Sequence, residues 1–384
     1  MPRDPVSQSK RALVCVLGLR GIPGVMGGVE AHCEELLPRI AANAPDLEVE
    51  LIARRPYSPE PTSVGKVRVT PLFSPRRQST EAIVSTLLGL IYAKRRGADT
   101  VHIHAIGPGL LSPLGRALGM NVILTHHGED YDRQKWGFFA KGMLRLGEQV
   151  GVRSANAVIA VAPSLGEKLK ARFPAHADKI RYVPNGKTFF PPVAANQSIL
   201  DDLGVKRGKY VLAVGRLVPE KGFHTLIEAI RKSGSKRNLV IVGGAQHETP
   251  YSKALLEEAD KDVIFAGMQG RAALHELYKN AALFVLPSSH EGLPICALEA
   301  GSLGCPLLLS DIPGNLDIGL PESHYFAAGD VEDLSEALQV SLEKYAVSPA
   351  MFTAFDWDQI SKNTLAIYNS VIGPASGSPL DAAA

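Results

Sequence analysis

The sequence predicts an α/β fold: two doubly wound parallel-sheet domains facing each other across a cleft. Three observations predict it. Short apolar runs alternate with helix-like segments along both halves of the chain, which is the pattern of parallel strands covered on both faces. The 384 residues exceed what a single core ordinarily holds. A turn signal, Pro184-Asn185-Gly186, leads into a stretch carrying Pro191 and Pro192 and divides the two sets of strands.

In the first half, strands are expected at residues 12–18, 49–53, 100–104, 122–126 and 157–162. In the second they are expected at 210–215, 239–242, 263–266, 283–286 and 306–310. Helical spacing follows the first strand of each half: Val29, Cys33, Leu36, Leu37 and Ile40, then Phe223, Leu226, Ile227 and Ile230. The organisation read from this is a domain at 1–189, a linker at 190–207 and a second domain at 208–354. A last amphipathic helix at 355–372, with Trp357, Ile360, Leu365 and Tyr368 on or near one face, is expected to pack back on the first domain. A disordered tail is expected at 373–384. Facing sheets bring the carboxyl ends of their strands, the usual ligand position, to one cleft.

Composition is that of a water-soluble globular chain, 45% hydrophobic and 21% charged, with no apolar run near the ~18 residues of a membrane span. The apolar run at 12–18 is too short, and too soon followed by Arg20, to be a signal peptide. Cys15, Cys33, Cys296 and Cys305 lack metal-ligand spacing, and buried thiols in a reducing cytoplasm are expected. The net charge of +2 hides an asymmetry: residues 1–190 carry 26 Lys+Arg against 16 Asp+Glu, and the remainder 15 against 23. Either the first half faces something anionic, or its charges are solvated surface.

The most informative segment is Ser289-His290-Glu291-Gly292-Leu293-Pro294-Ile295-Cys296-Ala297-Leu298-Glu299. A strand ends before it and a helix at 295–303 follows, so Glu291 falls at the strand–helix turn and Glu299 about two turns into the helix. Open N–H groups at a helix start suit a phosphate, and carboxylates suit vicinal hydroxyls. Together these requirements describe a sugar nucleotide. In the second half Arg216 and Lys221 share the short loop after the strand at 210–215. A guanidinium and an ammonium there could neutralise the charge that a departing pyrophosphate gains; solvation is the alternative for either alone. In the first half the loop from Gly18 to Glu30 holds Gly21, Gly24, Gly27 and Gly28 between strand and helix. It fits neither Gly-x-Gly-x-x-Gly nor a P-loop. It is either a phosphate-approach loop or a tight structural turn.

These pieces together resemble family 4 of the retaining glycosyltransferases, enzymes of the two-domain GT-B fold built from Rossmann-like units. The resemblance extends to Thr125-His126-His127-Gly128, Val183-Pro184-Asn185-Gly186 and Ser310-Asp311-Ile312-Pro313-Gly314. Gly18-Leu19-Arg20-Gly21-Ile22-Pro23 with Gly27-Gly28-Val29-Glu30 is most similar to bacterial members that build surface polysaccharides. The resemblance implies that Arg216 and Lys221 bind the donor diphosphate, Glu299 the ribose and Glu291 the sugar hydroxyls. Gly292, Leu293 and Pro294 would lie against sugar and phosphate, with Gly27 and Gly28 opposite. The base would sit near Gly244 and Met268. His126 or His127 would flank the reacting centre, His127 preferred, while His102 and His104 are expected to be structural.

It further implies a hexosyltransferase without metal or cofactor, using a UDP-sugar in preference to GDP-mannose or dTDP-rhamnose. The expected acceptor is a saccharide on a polyprenyl diphosphate, reached from the cytoplasm or from the inner membrane face. Front-face substitution is the expected route to retention. Asp130-Tyr131-Asp132 mimics a metal–nucleotide motif of the other large glycosyltransferase fold but lies on the acceptor side, so a metal role is not assigned to it. Basic clusters at Arg54-Arg55, Arg76-Arg77, Lys94-Arg95-Arg96 and around Trp136, Phe138, Phe139 and Leu144 suit an anionic bilayer. Packing of the apolar members into the core is the alternative; nucleic acid is not expected. Other readings are a GT-B enzyme with a small soluble acceptor and a non-catalytic sugar-nucleotide-binding protein. The intact Arg216, Lys221, Glu291 and Glu299 set disfavours the latter.

Overall fold

The computed structural model describes residues 11–132, 137–188, 190, 198–245 and 248–373. The expected tail beyond Gly373, and Arg133, Lys135 and Trp136 of the basic-aromatic cluster, lie outside these residues.

Two sheets form among the described residues. The first contains β1 (Ala12–Leu17), β2 (Leu47–Arg54), β3 (Thr62–Val64), β4 (Val67–Leu72), β5 (Thr100–His104), β6 (Asn121–His126), β7 (Ala157–Ala160) and β8 (Ile180–Tyr182). Their order is β3-β4-β2-β1-β5-β6-β7-β8, and only β3 runs antiparallel. The second contains β9 (Tyr210–Val214), β10 (Asn238–Val242), β11 (Val263–Gly267), β12 (Leu283–Leu286), β13 (Leu307–Ser310) and β14 (Tyr325–Phe326), in the order β11-β10-β9-β12-β13-β14. Central strands such as β5, β12 and β13 are buried along their whole length, which is why they read as unbroken apolar runs. The strands absent from the sequence reading lie toward the edges. β4 alternates buried and half-exposed residues, while β3, β8 and β14 span only two or three residues each.

In each sheet the winding direction reverses beside the first strand, between β1 and β5 and between β9 and β12. Crossovers leave in opposite directions there, so a crevice opens at the carboxyl ends of those strands. The register Leu283↔Val211 and Phe284↔Leu212 brings the ends of β9 and β12 side by side. The loop carrying Arg216 and Lys221 therefore meets the turn carrying Glu291.

Three apolar clusters hold the layers. One runs along a face of both sheets, from Leu13 and Val101 to Phe284 and Leu309. The other two fill the opposite faces, the first-sheet cluster including Trp357, Ile360 and Tyr368 of the last helix. That helix, Trp357–Ile372, is capped by Asp356, whose carboxylate accepts from the N–H groups of Asp358 and Gln359. It docks on the first sheet: Tyr368 bonds His102 Nδ1 at 2.7 Å, and Asn121 donates to the Val371 carbonyl at 3.1 Å. Leu365 is half-buried, beside a face made of Trp357, Ile360, Thr364, Ile367 and Tyr368. The two crossovers between domains run together, Lys187 N donating to the Phe355 carbonyl at 2.8 Å.

Part of the stretch expected as linker is ordered on the second domain. A short helix, Ile199–Asp202, is capped by Ser198, whose hydroxyl bonds Glu276 at 2.5 Å, and Val205 is buried. Cys15, Cys33 and Cys305 are buried and Cys296 half-buried, all as free thiols.

Candidate active site

The turn after β9 closes through a short 3-10 segment, Pro219–Lys221, and Gly222 at φ +64°. A side chain on Gly222 would run into the Pro287 carbonyl, so glycine lets this turn lie against the end of β12. Lys221 Nζ thereby reaches Glu291 Oε1 at 2.5 Å, and Ser288 donates to the same oxygen at 2.6 Å. Burial alone would raise the Glu291 carboxyl, but the Lys221 charge and these bonds outweigh it and hold the group below its usual range. The turn is fixed from behind. Gly314 packs against the Glu291 and Gly292 carbonyls, and Ser310 bonds the Ser288 carbonyl at 2.5 Å.

Glu299 lies in the helix Ile295–Ser302, just over one turn from its start rather than the two the sequence suggested. Tyr278 donates to it at 3.0 Å, and Thr188 from the interdomain crossover also bonds it. Burial nevertheless pushes its carboxyl up to about 7. On the same side of the cleft, Gly244 lies beside Met268, which is 55% exposed, and beside Met26 of the first-domain glycine loop. Gly243, at φ +141°, rests directly on the Gly215 carbonyl.

Across the cleft the glycine loop is braced by Arg20, which grips Glu30 with Nε at 2.8 Å and an outer nitrogen at 3.0 Å. Gly27 sits against this pair with no room for a side chain, whereas Gly28 opens onto empty space. Of the two adjacent histidines, His126 is wholly buried, with Nε2 2.9 Å from Glu148 and Nδ1 accepting from Gly128 N. It is a packing residue. His127 is half-buried on the cleft side, and its carbonyl meets Gly292 across the domain boundary. Its Nε2 lies 2.9 Å from His104 Nδ1. Burial and the neighbouring imidazoles depress its basicity far below that of an ordinary histidine. His102 is fixed between Tyr368 and Thr125, each at 2.7 Å. In Asp130-Tyr131-Asp132 the tyrosine is buried against Glu148 and Arg172, while Asp132 is exposed.

The structure thus brings Lys221, Glu291, Gly292 and Glu299 together, with Arg216 on the same loop as Lys221, and sets His127 opposite Gly292. Sequence reasoning missed Ser288, Tyr278 and Thr188. It also missed His32, whose Nδ1 lies 2.8 Å from Asn185 Oδ1. A histidine one residue before Cys33 on a buried helix face was the available signal. Two of the basic clusters are partly internal: Arg54 is buried against Glu81 and the Gly18 carbonyl, and Arg96 binds Glu50.

Facing doubly wound domains, with a lysine–glutamate pair at the switch point of one and a histidine loop on the other, define the GT-B glycosyltransferase class. Similar solved structures include sucrose-phosphate synthase from Thermosynechococcus elongatus (TM-score 0.76, 20% identity, covering 94% of this chain and 99% of that one). They also include Anabaena HepE in complex with UDP and glucose (TM-score 0.73, 19% identity, 94% and 100%). Residues 26–186 match the family model for glycosyltransferase family 4, and residues 198–350 that for glycosyl transferases group 1. The chain thus carries the glycosyltransferase domains of both models, one in each half, and is an enzyme of the glycosyltransferase class. Relatives include alpha-maltose-1-phosphate synthase of Mycobacterium tuberculosis, 29% identical over 392 residues, covering 91% of this chain and 97% of that one. Another is N,N'-diacetylbacillosaminyl-diphospho-undecaprenol alpha-1,3-N-acetylgalactosaminyltransferase of Campylobacter jejuni, 30% identical over 200 residues, covering 49% and 52%.

Proposed function

We propose that this enzyme transfers a hexose, with retention, from a nucleotide diphosphate sugar to a saccharide carried on a polyprenyl diphosphate, in assembly of a bacterial surface polysaccharide. The observation that carries the donor half is the Lys221–Glu291 pair at the β9/β12 switch point. Lys221 and Arg216 meet the diphosphate, and their charge offsets what the leaving group gains as the glycosidic bond stretches. Both bonds to Glu291 fall on Oε1, leaving Oε2 as the oxygen that takes a sugar hydroxyl. Paired with an ammonium in this way, Glu291 is a holder of the sugar rather than a nucleophile. Front-face attack follows, with the departing phosphate accepting the acceptor's proton and His127 flanking the reacting carbon. Glu299 holds the ribose, Gly244 and Met268 border the base, and no metal is assigned to the donor. A UDP-sugar is the favoured donor, in line with the UDP bound by Anabaena HepE.

The undecaprenol-linked substrate in the Campylobacter relative's name favours a lipid acceptor. So does the start of the helix Phe138–Ser154, where Phe138 is 96% and Phe139 81% exposed beside Lys141 and Arg145. Apolar rings among cations suit an anionic membrane face. Among the described residues no helix is long and apolar enough to cross a membrane. The sugar phosphate in the mycobacterial relative's name favours a second reading, a small soluble acceptor. Dependence of activity on detergent or anionic vesicles separates the two.

Melting temperatures with UDP, GDP, dTDP and ADP, each with EDTA or magnesium, test the donor site. A nucleotide at ~100 times its dissociation constant stabilises by about 2.7 kcal/mol. A shift with UDP in EDTA is expected. No shift with any of the four overturns the donor assignment.

A further inference from the structure

His32, His104 and His127 come from three separate elements: the helix Gly28–Asn43, β5, and the loop after β6. One ring nitrogen of each lies within 4.8 Å of the other two. Asn185 sets the tautomer of His32. Its amide nitrogen donates to the Leu293 carbonyl at 2.7 Å, so its oxygen must be the atom facing His32 Nδ1 at 2.8 Å. That nitrogen therefore carries the proton, and Nε2 of His32 keeps a lone pair. Donation of the second ring N–H to a carbonyl oxygen is the support that metal-binding histidines ordinarily have. His104 and His127 already share one hydrogen between nitrogens 2.9 Å apart. An ion in place of that hydrogen requires only a tautomer change, because the other nitrogen of His104 faces Cys33 Sγ at 3.6 Å.

We propose that His32, His104 and His127 form a binding site for a borderline divalent ion, Zn2+ above all, on the acceptor side of the cleft. Neutral imidazole is the ligand form that such ions take. Burial keeps all three imidazoles uncharged at neutral pH, and the neighbouring rings add to it for His104 and His127. Zn–N bonds of about 2.0–2.1 Å in a tetrahedral site set nitrogen–nitrogen edges of about 3.4 Å. The separations here run from 2.9 Å to no more than 4.8 Å, so ring rotations of about an ångström close the site. Two of the rings are fully buried and His127 is half-buried at the cleft. The fourth position is thus left to water or to a hydroxyl entering from the cleft. The site stands apart from Arg216 and Lys221 and does not rest on the donor reading. With the ion seated, the His127 ring is no longer available to the acceptor, so Zn2+ slows transfer and EDTA restores it.

The test uses the full chain without a histidine tag. Zn2+ is titrated against a chromophoric chelator, and Co2+ is added separately for its visible spectrum. One equivalent of Zn2+ and an intense tetrahedral Co2+ spectrum are expected. His127→Asn should weaken Zn2+ on the order of 100-fold, and Asn185→Ala, which removes the support of His32 along with the bond to the Leu293 carbonyl, about tenfold. Substitutions at the buried His32 and His104 put the fold at risk, and the wild-type Co2+ spectrum needs neither. Absence of bound ion, a weak octahedral spectrum, or equal Zn2+ affinity in wild type and His127→Asn would overturn the proposal.

Discussion

Glu299 binds a proton far more readily in this fold than in water, because burial outweighs the bonds from Thr188 and Tyr278 and pushes the carboxyl up to about 7. The unfolded chain releases that proton near 4.5. Stability contributed here is therefore greatest below pH 4.5, falls as pH rises toward 7, and is level above. The difference amounts to about 3 kcal/mol at most. Glu299→Gln should flatten that part of the melting curve against pH. Ribose hydroxyls prefer the ionised acceptor, so UDP competes with the proton at this carboxyl. UDP affinity should tighten from pH 6 to 8 more in wild type than in Glu299→Gln, the difference cancelling titration of the nucleotide itself. Equal pH profiles would remove Glu299 from the ribose. Lys221 acts at the other stage, on charge that appears only as the donor breaks. Lys221→Ala should lower kcat by about 10²–10³-fold while a UDP-dependent melting shift persists. Normal turnover by the purified variant would end the charge-stabilisation argument.

The elements that bear these residues depend on close backbone contact between turns. At Gly314, the second residue of a short helix after β13, an added methyl would meet the Glu291 and Gly292 carbonyls. Both belong to backbone that rigid neighbours fix, so relief must come from moving the Glu291 turn. Gly314→Ala should cost roughly 1–3 kcal/mol in stability and should also weaken UDP binding, as calorimetry with the nucleotide would measure. Loss of stability without loss of affinity would separate this contact from the site. The same elements show what a sequence reveals. Strands buried on both faces are legible as apolar runs, and Arg216, Lys221 and Glu291 are legible because each lies in the loop that follows one. β4 alternates, β14 has two residues, and no local pattern announces either. Ser288, Tyr278 and Thr188 were illegible for another reason. Each is an ordinary polar residue whose partner is chosen by packing, in the case of Thr188 and Glu299 across 111 positions of chain. Arg54 and Arg96 misled because charge clusters in sequence do not reveal which members turn inward to a carboxylate.

At the scale of the whole molecule the cleft is held by a few polar clasps between domains. Arg271 opens the second-domain helix Arg271–Asn280 and reaches Glu35 Oε1 at 2.5 Å and Glu34 Oε1 at 3.2 Å on the first-domain helix. Glu34 in turn accepts from Gly24 N of the glycine loop at 2.9 Å. A second clasp joins Asp317 to Ser164, through its hydroxyl at 2.5 Å and its N–H at 3.2 Å. Asn185 and Leu293 make a third, at the crossover. Donor must enter between the domains and nucleotide must leave, so contacts of this kind set how tightly the pair closes. Arg271 is half-exposed and Glu35 keeps Arg39 as a partner, so the clasp is worth about 1 kcal/mol or less and weakens with salt. That is enough to shift a balanced opening several-fold without unfolding either domain. Arg271 also lowers, and Glu35 raises, the proton affinity of Glu299, which places the clasp within electrostatic reach of the ribose residue. Arg271→Ala should enlarge the radius of gyration seen by small-angle scattering, weaken UDP binding by roughly two- to fivefold, and make that binding less sensitive to salt. If scattering, affinity and salt dependence all match wild type, closure is governed by the Ser164–Asp317 and Asn185–Leu293 contacts instead. Asp317→Ala would then produce the opening that Arg271→Ala did not.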